Sequence, residues 1–108
     1  MANKITGRFD DVVKTLGKNK YITAYKPTNE NWFPSYGALD SGDQSYLLSV
    51  SLIALNDGLF RVCVWGADDF GMELDQVSRK KAIKLYISLM LMTTIRKSDL
   101  AEMGFSYA

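Results

Sequence analysis

The chain contains no histidine, a single cysteine (Cys63) and only two prolines in 108 residues. Without an imidazole there is no His-dependent triad, no Cys–His pair and no His-ligated metal site, so any catalysis would have to run on carboxylates, lysine, tyrosine, serine or the lone thiol. One cysteine excludes an internal disulfide framework and fits a reducing compartment. Net charge is nearly absent as well: at +1 the chain is neither an acidic mimic of DNA nor a strong nonspecific binder of polyanions. Long apolar runs are missing too. The most apolar stretch, Ala82–Met92, is interrupted by Lys84 and Ser88 and is shorter than the ~20 residues a membrane-spanning helix needs. Lys4 and Arg8 are not followed by the apolar run of a secretory signal. The expectation is a soluble cytoplasmic protein that does not enter the membrane.

What is present is ordinary for a globular chain, with 47% hydrophobic and 23% charged residues, so one domain over residues 1–108 with a modest core is expected. The organising stretch is Tyr46–Asp75. Alternation places Tyr46, Leu48, Val50, Leu52 and Ala54 on one face of a strand, and Leu47, Ser49, Ser51, Ile53 and Leu55 on the other. Asn56-Asp57-Gly58 is a hairpin signal, because these residues tolerate the positive φ of tight turns. The returning strand puts Phe60, Val62 and Val64 on one face and Arg61, Cys63 and Trp65 on the other, a face that reads as partly wet or covered by another element. Gly66–Gly71 reverses the chain again, and Met72-Glu73-Leu74 reads as a third strand. Tyr21–Tyr25 (YITAY) supplies a fourth, with Pro27 ending it or marking it as an edge.

Helical periodicity frames the sheet. Phe9, Val12, Val13 and Leu16 recur as one stripe, predicting a short amphipathic helix over about residues 6–16 with Thr6 as N-cap and Gly17 just past its end. A longer helix is expected from Ser78 as N-cap to about Thr94, with Ala82, Leu85, Tyr86, Leu89, Met90 and Thr93 facing the core, flanked by Ile83 and Met92. Apolar residues run nearly all round its C-terminal end, and Phe105 and Tyr107 are expected to fold back over Leu91 and Ile95. Ser98 is expected to cap a final turn that Gly104 ends. The fold class is therefore α+β: an antiparallel meander of three to four strands, a long C-terminal helix packed across one face, and a short N-terminal helix.

Three clusters could carry function. In the irregular segment Lys26–Gln44 the run Asn31-Trp32-Phe33-Pro34-Ser35-Tyr36 either tucks an aromatic back into the core or presents Trp32, Phe33 and Tyr36 as anchors for a protein partner, since tryptophan and tyrosine are enriched at binding hot spots. An acidic strip, Asp68, Asp69 and Glu73, would steer a basic partner surface; its spacing matches no calcium loop, and no metal or other cofactor is expected. The helix from Ser78 opens with Arg79, Lys80, Lys81 and Lys84, where cations oppose the helix dipole. Either Asp75, or Asp68 and Asp69, neutralise them, or Lys80, Lys81 and Lys84 form a nucleic-acid-binding patch. Cys63, mid-strand among apolar neighbours, reads as a small buried hydrophobe.

Compactness, the lack of catalytic residues and the aromatic segment resemble in style small bacteriophage-encoded proteins that bind and inhibit a host factor. That resemblance covers no defined motif and transfers no residue. It implies a non-enzymatic protein-binding module acting in the host cytoplasm on a nuclease, polymerase or defence complex, as a monomer or homodimer. A weak nucleic-acid-binding module is the alternative.

Overall fold

The computed structural model describes residues 14, 20–28, 32, 46–66 and 71–107. They form a five-stranded antiparallel sheet in the order β1-β2-β3-β4-β5, with two helices. The strands are β1 (Tyr21–Thr28), β2 (Tyr46–Ala54), β3 (Phe60–Trp65), β4 (Gly71–Val77) and β5 (Ser106–Tyr107). The helices are α1 (Arg79–Leu91) and α2 (Lys97–Glu102). The α+β class and the meander therefore stand, with one strand more than the sequence suggested. A two-residue strand is too short to show a period of two. It exists because Gly104, at φ +98°, turns the chain back so that Ser106 pairs with Glu73 and Tyr107 with Met72.

The central hairpin follows from its turn. Leu55 N–H donates to the Leu59 carbonyl and Gly58 N–H to the Leu55 carbonyl, so Asn56, Asp57 and Gly58 are the loop. Gly58 takes φ +82°, the left-handed residue that ends such three-residue loops. The Asp57 carboxylate accepts from Leu59 N–H. The hairpin buries Leu48, Val50 and Leu52 of β2 and Phe60, Val62 and Val64 of β3 on one face, and α1 lies over both strands. Full burial contributes roughly 1.5–3 kcal/mol for each such side chain.

Ser78 caps α1 as expected, its hydroxyl accepting from Lys81 N–H at 3.3 Å. The helix is shorter than expected: it stops at Leu91, with Met92 already extended, and two further elements follow it. A second chain segment determines the stop. Lys26 of β1 donates from Nζ to the Met90 carbonyl at 2.8 Å, and Ile95 N–H donates to the Pro27 carbonyl. A cation thus satisfies an orphan carbonyl at the negative end of the helix dipole, and the linker is drawn onto β1. The buried face also differs in phase, being Ala82, Ile83, Tyr86, Ile87 and Leu89, whereas Leu85 and Met90 are half-buried and Thr93 is exposed. Apolar side chains nearly encircle this helix, so periodicity alone left its phase loosely defined.

α2 begins with Arg96 rather than Ser98 as its N-cap, and the Asp99 carboxylate reaches back to Arg96 N–H. It ends in a Schellman motif: Phe105 N–H donates to the Leu100 carbonyl and Gly104 N–H to that of Ala101. This turns Phe105 into the core beside Leu100 and Ile95, all buried, while Leu91 and Tyr107 stay exposed. The expected fold-back therefore covers Ile95 but not Leu91. Of the N-terminal helix only Lys14 is among the described residues, and it is helical and exposed; the remainder of that expectation lies outside them.

Among the described residues one backbone position is strained. Between β3 and β4 the register shifts by a residue at Arg61, opposite Asp75 and Gln76, and Gln76 sits at φ +54°. At bulges this conformation commonly falls to glycine. The left-handed region costs a side-chain-bearing residue roughly 1–2 kcal/mol, against about 0.4–1 kcal/mol of extra unfolded-state entropy for glycine. Gln76→Gly is therefore expected to raise stability by about 0.5 kcal/mol in urea unfolding. Gln76→Val, β-branched at positive φ, is expected to lower it. A destabilised glycine variant would mean that the bulge is not strained.

Candidate functional site

The face of the sheet opposite α1 is where the chain places side chains that its core does not use. Alternation along β1 turns Tyr21, Thr23 and Tyr25 to this face. The register lines up Tyr21 with Ile53 and Arg61, then Thr23 with Ser51, Cys63 and Glu73, then Tyr25 with Ser49, Trp65 and Gly71, and finally Pro27 with Leu47. Tyr21, Tyr25 and Leu47 are 61, 65 and 67% exposed. Ile53 and Trp65 are half-buried beside them. The result is an aromatic and aliphatic border around small hydroxyls, of which Thr23 and Ser51 hydrogen-bond to each other at 2.9 Å.

Trp65 lies over Gly71. A methyl group on Gly71 would come within 2.6 Å of the Val64 carbonyl oxygen and 2.8 Å of the indole, so only glycine fits between the β3 backbone and the ring at this point of β4. Cys63, 2% exposed, is enclosed, and burial pushes its thiol pKa up. That fits the inert small hydrophobe the sequence suggested rather than a nucleophile.

The charges on this face nearly cancel. Arg61 donates from Nε to Asp75 Oδ1 at 2.9 Å and from Nη2 to Oδ2 at 3.4 Å. Its guanidinium holds the Asp75 carboxyl below the usual carboxylate range. Glu73 is the further acid in these rows. One base against two acids gives nothing here to attract a polyanion.

The sequence-derived candidates divide differently. Trp32 is fully buried (0% exposed) in the hydrophobic core, with Lys97 Nζ 5.4 Å from its ring centroid. It is therefore the tucked-back aromatic rather than an anchor, and as folded it offers no surface to a partner. Phe33, Tyr36, Asp68 and Asp69 lie outside the described residues, so the aromatic cluster and the acidic strip are each represented by one member. Glu73, half-buried at the centre of the open face, is that member of the strip. Among the described residues no three His, Cys, Asp or Glu side chains lie together as a metal site would require, and no helix is long and apolar enough to cross a membrane.

Lys80, Lys81 and Lys84 are all exposed and line one shallow groove of about 340 Å³ along α1 with Ser78, Leu85 and Ser88. The Ser88 hydroxyl donates to the Lys84 carbonyl. Asp75 is held by Arg61 and does not neutralise these lysines, none of which pairs with a described carboxylate. Tyr21, Tyr25 and Leu47 were missed as site residues. The available signal was that Tyr21 and Tyr25 share a parity in β1 and that Leu47 belongs to the mixed face of β2.

By architecture this is an α+β domain with one face of its antiparallel sheet buried under α1 and no described element lying over the other. No protein-family model matches the chain, and no curated protein or solved structure matches it.

Proposed function

We propose that the chain is a non-enzymatic protein-binding module whose contact surface is the open face of the sheet. The observation that supports this reading is the co-location of Tyr21, Tyr25 and Leu47, each more than half exposed, beside the partly covered Ile53 and Trp65. Exposed apolar surface of this kind, with tyrosines and tryptophan at its border, is what protein interfaces use at their centres. The near-balance of Arg61, Asp75 and Glu73 favours a partner of low charge density over nucleic acid. The absence of histidine and the enclosure of Cys63 leave this face without an imidazole base or an accessible thiol nucleophile. A host nuclease, polymerase or defence complex as the partner, in the cytoplasm of a bacterial host, belongs to the same proposal and rests on the resemblance in style alone.

The test is capture from nuclease-treated bacterial lysate with wild type and Leu47→Arg/Ser49→Arg. The pair places two cations on the open face without touching the core, so folding should be kept. The expected result is a stoichiometric protein partner bound at least tenfold more weakly by the variant, a loss of about 1.4 kcal/mol. A partner retained equally by both proteins would remove the open face from consideration.

A second reading has its own observation, the groove in which Lys80, Lys81 and Lys84 converge with two serine hydroxyls. It supports weak binding of nucleic-acid phosphate. That reading requires affinity to fall steeply with salt and to vanish in Lys80→Glu/Lys84→Glu.

A further inference from the structure

We infer that β1 is a self-association edge: a second copy of this chain pairs its own β1 antiparallel to it, about a twofold axis at Thr23, making one sheet continuous through both protomers. The backbone points that way first. Ala54 N–H donates to the Lys20 carbonyl, in register with the Tyr21↔Ile53 pairing. In an antiparallel ladder the bonded positions alternate, so Ile22, Ala24 and Lys26 also bond inward to β2. The N–H and C=O groups of Tyr21, Thr23 and Tyr25 then face away from the sheet. β1 is the first strand in the sheet order, and no described residue pairs with its outer side along these three positions.

The side chains then select the occupant. The sequence from Tyr21 to Tyr25 is Tyr-Ile-Thr-Ala-Tyr, which is close to symmetric about Thr23. Twofold pairing at Thr23 sets Tyr21 opposite Tyr25 of the second copy, Thr23 opposite its own counterpart and Ile22 opposite Ala24. Aromatic–aromatic and Thr–Thr pairs are among the favourable cross-strand combinations. Moving the axis by one residue aligns Tyr25 with Thr23 and brings Pro27, which has no N–H, against Tyr21. The self-pairing is therefore best in a single register, which a heterologous strand would have no reason to match. Pro27 also limits its length: its carbonyl is already taken by Ile95 N–H, so the ladder runs from Tyr21 to Tyr25 and exchanges about six N–H···O bonds. The one unfavourable pair is Lys20 against Lys26 of the second copy, on the helix side, where the Lys26 ammonium is drawn off onto the Met90 carbonyl. Because the axis is perpendicular to the sheet, both open faces lie on the same side of the dimer, and Leu47 and Ser49 remain accessible. The inference is thus independent of partner binding through that face.

Sedimentation equilibrium of the wild type, Thr23→Pro and Thr23→Lys tests it. Proline at position 23 removes an outward N–H on an edge strand and no backbone bond to β2; both variants lose the exposed Thr23–Ser51 hydroxyl contact, so its loss is common to the two. Lysine leaves the backbone intact but sets like charges directly opposite across the twofold. The expected result is a concentration-dependent wild-type dimer whose dissociation constant rises at least tenfold in both variants, with far-UV dichroism unchanged. A wild type that remains monomeric at several hundred micromolar overturns the inference and leaves the edge to a heterologous strand. Variants that dimerise as the wild type does overturn it too, and place self-association elsewhere.

Discussion

Trp32→Ala is expected to lower stability by about 3–5 kcal/mol. The indole is completely enclosed in the cluster that joins the sheet to α1, Leu100 and Phe105, and truncating a side chain of this size leaves a cavity that the surroundings fill only in part. Lys97, half-buried with its Nζ 5.4 Å from the ring centroid, loses its aromatic partner as well, worth about 0.5–2 kcal/mol. Small domains have roughly 5–15 kcal/mol in total, so the variant should unfold at a much lower urea concentration, or already be partly unfolded at 37 °C. An exposed binding anchor would behave otherwise: its removal would leave stability within about 0.5 kcal/mol and affect binding alone. Urea unfolding followed by far-UV dichroism separates the two outcomes.

Gly71→Ala is expected to destabilise although alanine ordinarily improves on glycine. The unfolded chain loses freedom with alanine, a gain of about 0.4–1 kcal/mol. Against this, the new methyl group meets a backbone oxygen, Val64 O, at 2.6 Å, and the Trp65 ring at 2.8 and 2.9 Å. A backbone carbonyl inside a ladder cannot step aside as a flexible side chain does, and overpacking of this kind costs roughly 1–3 kcal/mol. The net expectation is a loss of about 1–2 kcal/mol, accompanied by a shift in Trp65 emission as the indole lifts from β4. A neutral or stabilised variant would show that Trp65 does not lie over Gly71.

Legibility in the sequence followed the strength of the local signal. The β2–β3 hairpin was readable because strict alternation on both strands flanks a three-residue turn containing Gly58. Ser78 was readable because a serine precedes a helical period. The end of α1 was not, since it depends on Lys26 and Pro27, more than sixty positions earlier in the chain. β5 was hidden by its length, although Gly104, which creates it, was recognised as a helix stop. Trp32 illustrates a different limit. Its neighbours in sequence, Phe33, Tyr36 and two prolines, suit an interface as well as a plug, and only the enclosure of the indole decides between them. The open face was visible as a mixed face. Which of its residues protrude depends on β1 being an edge and on Trp65 leaning over Gly71, both properties of the assembled sheet.

The most direct measurement of the central claim is photo-crosslinking from a benzophenone amino acid placed at Leu47, and in a separate protein at Lys84, in nuclease-treated bacterial lysate. The open-face account predicts one discrete protein adduct from position 47 and none from position 84. Adducts from position 84 alone, or none from position 47 while a captured partner remains bound, would contradict it.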